Sequence, residues 1–244
     1  MTSSHAADLP IGTDYESLAN RLPPIFGRIA EGAAQRDRSR ELPHEAIGWL
    51  KDAGFGAVRT PVAHGGANAS LPHLFRLLIE LAAVDSNLPQ ALRAHFASVE
   101  DWLNVPPGYE RNTWFDRFVS GQLVGSAWSE VGDVAVGTLS TRVSRGDDQF
   151  VANGSKYHGM GSIVAERIDV LAKCDEYSAD MISAVSTNQS GVTRKDDWDG
   201  FGQTTTGSGT TVFDNASDWV INGKEPPFIW TIGNGAARGS KWAS

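Results

Sequence analysis

The sequence predicts an α+β, multidomain chain: an all-α bundle at the N-terminus, then a small antiparallel β-barrel or sandwich. Three observations carry this. Apolar residues recur at helical spacing up to about Gly121 and alternate at strand spacing beyond it. The strand-like runs in the second part are short and separated by turn signals, as in small barrels and sandwiches. They do not alternate with helices, which argues against a doubly wound sheet. The domain division that follows is 1–121 helical, 122–222 β, and 223–244 an irregular tail.

Residues 1–13 form a loose lead-in. From Tyr15, Leu18, Leu22, Ile25, Phe26, Ile29 and Ala33 mark a helical face, which Pro23 and Pro24 are expected to split into two helices. Pro43 opens a short helix with Ile47 and Leu50 inward and Gly54 as its stop. Pro61 to Ala69 is a glycine-marked loop, and Ser70 caps a helix carrying Leu74, Leu77, Leu78, Leu81 and Ala82. Leu88, Leu92, His95, Val99 and Trp102 form the next stripe; Pro106, Pro107 and Gly108 end it, and a last helix carries Phe115 and Phe118.

Beyond Gly121, Thr138 to Val143 alternates, Arg145-Gly-Asp-Asp148 reads as a turn, and Gln149 to Ala152 returns as its hairpin partner. Ile168–Ala172 and Met181–Ser186 are further apolar runs, and the Thr-rich stretch Thr204–Phe213 suits a strand entered from a turn. Trp230 to Ser244 has no periodicity.

Composition narrows the function. A formal charge of −8 with no basic block argues against a nucleic-acid partner. The single Cys174 rules out an internal disulfide and suits a reducing compartment. There is no secretory signal at the N-terminus and no apolar run near the ~18 residues a membrane span needs, so a cytoplasmic protein without a membrane partner is expected. The six histidines lack metal-ligand spacing, so no metal is expected. Gly207-Ser-Gly209 lacks the lysine and the context of a phosphate loop, and Asp196, Asp197 and Asp199 read as a solvated turn.

Two small-residue segments stand out: Gly125-Ser-Ala-Trp-Ser-Glu130 and Asn153-Gly-Ser-Lys-Tyr-His-Gly-Met-Gly161. Small residues allow close approach of backbone to a ligand, and the adjacent Trp and Tyr-His pair supply flat faces. They predict a site for a flat cofactor, read as a flavin. Taken alone, Trp128 reads as core. His95, on the apolar stripe of its helix, is either a core histidine with a satisfied partner or a group recruited to a redox site.

The order of these features resembles the acyl-CoA dehydrogenase superfamily: a helical domain, then Trp128-Ser-Glu130, Asn153-Gly-Ser-Lys156, Gly200-Phe-Gly-Gln203, Ser208-Gly-Thr210 and Phe213-Asp-Asn215. The resemblance runs from about Ala19 to Val220 and covers that superfamily's N-terminal and middle domains. It is closest to the two-component flavin monooxygenases of the dibenzothiophene monooxygenase type, through Arg59-Thr-Pro-Val-Ala-His-Gly-Gly66, Leu81-Ala-Ala-Val-Asp85 and the block from Asp196 to Thr211.

The resemblance implies that Ser126, Ala127, Trp128, Ser129, Glu130 and Val131 line one side of the flavin, and Lys156, Tyr157, His158, Gly159 and Met160 the other. It makes His95 the catalytic group near the flavin's reactive edge and puts Trp198 at the substrate pocket. Met160 stands where relatives carry Ser or Thr, and Thr204 where they carry Arg. The implied cofactor is reduced FMN, with FAD the alternative. The implied reaction is oxygenation of a sulfur, nitrogen or aromatic centre of a small-molecule substrate, through a flavin hydroperoxide. A separate flavin reductase would supply the reduced flavin. Relatives carry a third, helical C-terminal domain that completes the pocket and the tetramer; a homo-oligomer is expected of a complete protein, and this chain is expected to be truncated. An FAD-dependent acyl-CoA dehydrogenase and a non-catalytic remnant are the alternative readings.

Overall fold

The computed structural model describes residues 15–131, 139–146, 149–174, 176, 179–217, 230–233 and 236–239. The expected lead-in at 1–13 and part of the tail lie outside the described residues. The chain forms two compact units. The first comprises residues 1–123 together with Asp199–Gly207, and the second Val124–Trp198 and Ser208–Ser244. The assignment of 199–207 to the helical unit is a feature that apolar spacing does not register; there the Thr204 hydroxyl donates to Asp37 (3.0 Å).

The helical unit contains α1 (Tyr15–Ser39), α2 (His44–Asp52), α3 (Leu71–Val84), α4 (Asn87–Ala91), α5 (Arg93–Asn104) and α6 (Tyr109–Val119). Contrary to the expectation of two helices, α1 runs unbroken through Pro23 and Pro24. Both prolines sit on the exposed side, while Leu18, Leu22, Phe26 and Ile29 are buried on one face. Burying four such side chains, at roughly 1.5–3 kcal/mol each, matches or outweighs two interior prolines at about 3 kcal/mol each. The stripe expected from Leu88 to Trp102 is divided between α4 and α5, and Ala82 is exposed, but two local signals are realised. Gly54 ends α2 in the left-handed region (φ 76°), and the Ser70 hydroxyl accepts from the His73 amide at the start of α3. Two charged ties stitch the bundle: Arg36 to Asp85 (2.9 Å) and Arg59 to both oxygens of Glu100 (2.5 and 2.9 Å). Among the described residues, no helix is long and apolar enough to cross a membrane.

The strand unit contains β1 (Val124–Ala127), β2 (Arg142–Arg145), β3 (Phe150–Gly159), β4 (Arg167–Cys174), β5 (Ala179–Ser186), β6 (Val192–Lys195) and β7 (Gly209–Ser217) in one seven-stranded sheet. The expected hairpin is present, with Arg145 opposite Phe150. The sheet is not purely antiparallel, however. β5 pairs along the whole of β4, and on β4's other edge β1 and β2 pair in parallel with its first and second halves. The β2–β3 hairpin lies between β1 and β4 in sequence and supplies the long crossover that parallel pairing needs. The sheet curls into a half-barrel whose core is Ala127, Val143, Phe150, Ala152, Ile168, Val170, Ala172, Cys174, Met181, Val185, Phe213 and Ala216.

The tail also departs from the expectation of irregular chain. β8 (Trp230–Gly233) pairs with β9 (Ala236–Gly239), Gly233 opposite Ala236. The residues between them in sequence, Asn234-Gly235, are the dipeptide most favourable to a two-residue hairpin.

Candidate functional site

Within the strand unit, the two small-residue segments lie side by side. The Ser126 amide donates to the Met160 carbonyl (2.9 Å), and the Tyr157 amide donates to the Ser129 carbonyl (3.0 Å). The glycines make this possible. A Cβ on Gly125 would lie 2.8 Å from the Ser162 Cα, and one on Gly159 would lie 2.7 Å from the Ser126 carbonyl oxygen. Real Cβ atoms do not approach other atoms that closely, so glycine is required at both positions. The close approach expected between backbone and ligand is here an approach of the two segments to each other.

Beneath this junction lies a buried ion pair. Lys156 Nζ sits 2.6 Å from Glu130 Oε1 and 3.2 Å from the Trp128 carbonyl, and the two side chains are 0% and 4% exposed. The Thr141 amide donates to Glu130 Oε1 (3.0 Å), while the Ser140 amide (2.7 Å) and hydroxyl (2.5 Å) donate to Oε2. Burial pushes the Glu130 carboxyl up, but the hydrogen bonds from Lys156, Ser140 and Thr141 outweigh it and bring it down to about 2. Burial likewise presses the Lys156 ammonium below the usual lysine range, opposed by Glu130 and by the charge of Asp180. Lys156, expected beside the cofactor, thus turns its charge inward. Ser140 and Thr141 went unnoticed in the sequence. The signal that could have found this group is strand parity: Lys156 shares the face of Phe150 and Ala152 on β3, where a charge must be paired.

Just past Lys156 the β3–β7 register slips. Lys156 pairs with Thr211 and Gly159 with Gly209, so β3 carries one residue more than β7 between them. This is a β-bulge, and inside it His158 adopts φ +56°. The exposed His158 ring meets Trp198 edge-on, with centroids 4.8 Å apart. Bulges of this kind re-aim side chains, and strained positive-φ residues gather at functional sites. Around the junction, Trp128 (47%) and Val131 (54%) expose large apolar surface, Ser129 is exposed, and Tyr157 and Met160 are half-buried. Ser126 is half-buried and Ala127 is core.

His95 belongs to the helical unit. It is wholly buried in α5, its Nε2 is 2.8 Å from the Gly56 carbonyl oxygen, and its ring lies edge-on to Phe96 and Phe118.

Residues 27–121 match the family model described as Acyl-CoA dehydrogenase, N-terminal domain. Over 209 residues the chain is 26% identical to a probable FMNH2-dependent monooxygenase, SfnC, from Pseudomonas putida, covering 84% of this chain and 51% of that protein. It is 25% identical over 208 residues to a dibenzothiophene monooxygenase from Rhodococcus qingshengii, covering 77% of this chain and 48% of that one. The FMN-bound structure of TdsC from Paenibacillus sp. A11-2 superposes with a TM-score of 0.75 at 20% identity, over 83% of this chain and 52% of that one. The chain spans about half the length of the curated relatives it matches. Residues 27–121 thus carry the acyl-CoA dehydrogenase N-terminal domain, and the chain as a whole is similar in sequence and fold to flavin monooxygenases that share it.

Proposed function

We propose that this chain is the flavin-binding part of a reduced-FMN-dependent monooxygenase. The observation that carries the reading is the junction of the 126–131 and 156–160 segments. It offers exposed Trp128 and Val131 beside a strained bulge, with the Lys156 ammonium turned inward to Glu130. Exposed aromatic and aliphatic surface of this kind suits the isoalloxazine ring and marks binding sites. Similarity to a probable FMNH2-dependent monooxygenase and to FMN-bound TdsC supports FMN over FAD.

Bound reduced FMN would supply the electrons and activate dioxygen; the protein's share is orientation and exclusion of water. Trp128 and Val131 would cover the ring, the Tyr157–Met160 bulge would border it, and Trp198 beside His158 would face the small-molecule substrate. His95, the residue that the resemblance makes catalytic, would hold or transfer a proton during oxygenation. A separate flavin reductase would supply the reduced cofactor, and the complete protein would work as a homo-oligomer.

Two measurements test this. Anaerobic titration should give saturable binding of reduced FMN and weaker binding of FAD. Clearly tighter FAD, bleached by an acyl-CoA, would transfer the chain to the dehydrogenases. In a preparation turning over with a reductase, His95→Ala should lower oxygenation far more than flavin affinity; equal losses would remove His95 from the chemistry.

A further inference from the structure

Glu130 is held from two separate stretches of the chain. Its carboxylate accepts from four donors: the Lys156 ammonium, the Thr141 amide, and the Ser140 amide and hydroxyl. These come from β3 and from the chain entering β2, while Glu130 itself follows β1. The same ammonium reaches the Trp128 carbonyl, two residues before Glu130. One buried charge pair therefore fixes three things: the course of residues 128–130 as they leave β1, the point at 140–141 where the chain returns, and the register of β3 just before its bulge. Buried ion pairs often contribute little net stability relative to neutral side chains of similar size, because desolvation offsets their attraction. Their directional bonds do set geometry.

We propose that Glu130 and Lys156 are positioning residues of the flavin strip, holding the Trp128 segment and the Tyr157–Met160 bulge at the separation that receives the ring. The claim rests on the flavin reading above. Neither side chain touches the cofactor in this account; both act through the main chain they hold. The Lys156–Trp128 bond orients the Trp128 peptide from inside, while the indole projects from it on the outside. Loss of the ammonium frees that peptide without altering any surface residue.

The test compares Glu130→Gln, Lys156→Met, Lys156→Arg and the double variant Glu130→Gln/Lys156→Met with the unaltered chain. Reduced and oxidised FMN are the probes, and amide hydrogen exchange is followed in the absence of flavin. The expected result is FMN affinity weakened tenfold or more in every variant, with an altered absorption band of bound FMN. Exchange at the Tyr157 and Thr141 amides should also be at least tenfold faster. The double variant, having no unpaired charge, should regain the thermal stability lost by Lys156→Met yet not its FMN affinity. Lys156→Arg keeps the charge and covers the case in which Lys156→Met does not fold. Recovery of affinity together with stability in the double variant would overturn the proposal, as would unchanged affinity in Lys156→Arg. If the unaltered chain binds no flavin, the flavin reading falls by itself. The positioning role is then decided by the exchange data, and unchanged exchange at Tyr157 in Glu130→Gln overturns it.

Discussion

Gly125 and Ser162 stand so close that a Cβ on the glycine would lie 2.8 Å from the serine Cα and 2.9 Å from its nitrogen. Backbone cannot retreat as a flexible side chain does, so the turn after β3 would have to move off β1, and the Ser126–Met160 bond would stretch with it. Gly125→Ala should therefore cost about 1–3 kcal/mol, the usual penalty of overpacking. Gly159→Ala, facing the Ser126 carbonyl oxygen at 2.7 Å, should cost as much. Chemical denaturation measures both. Variants within about 0.5 kcal/mol of the unaltered chain, the range of ordinary surface substitutions, would show that the segments are less tightly apposed.

The prolines of α1 give a prediction of opposite sign. Pro23 and Pro24 are exposed and contribute nothing to the Leu18–Leu22–Phe26–Ile29 face, yet each removes a helical hydrogen bond. Pro24→Ala should stabilise the helical unit by about 1–2 kcal/mol, below the ~3 kcal/mol intrinsic difference because alanine also frees the unfolded chain. A fall in melting temperature would mean that the prolines fix something other than the helix.

Glu130 makes stability depend on pH. Its carboxyl stands at about 2 in the folded chain, against an ordinary value of 4.5. A carboxyl lowered on folding stabilises fully above its unfolded value and loses that contribution as pH falls through its folded value. The unaltered chain should thus shed on the order of 2–3 kcal/mol between pH 5 and pH 2 through this group alone. Glu130→Gln should lack that component while keeping the rest of the acid response. Parallel pH profiles for the two proteins would contradict the assignment.

His158 holds a left-handed conformation that costs a non-glycine residue roughly 1–2 kcal/mol. His158→Gly relieves that cost but loses the ring contact with Trp198, whereas His158→Ala loses the contact and keeps the strain. Glycine should therefore be more stable than alanine here by about 1 kcal/mol. Denaturant midpoints decide it, and an alanine variant as stable as the glycine one would remove the strain from the account.

Much of this was legible in the sequence where the determinants are local. The Ser70 cap, the Gly54 stop and the pairing of the strands ending at Arg145 and starting at Phe150 are each fixed by neighbouring residues, and each is realised. What was not legible depends on distant partners. The parallel pairing of β1 with β4 joins Val124 to Arg167, and no spacing within either strand announces it. The unbroken α1 depends on what its buried face packs against. At the candidate site, both segments are legible in the sequence but their arrangement is not. Lys156 reads as a residue lining the flavin until Glu130, 26 residues away, is seen to receive its charge, and Ser140 and Thr141 matter only because they reach the same carboxylate.

The most direct measurement of the central claim is amide hydrogen exchange of the chain with and without reduced FMN, under anaerobic conditions. The account predicts slowed exchange concentrated in residues 126–131 and 156–160, with FAD at equal concentration giving less. Saturable FMN binding that protects other residues and leaves those two segments unchanged would contradict it.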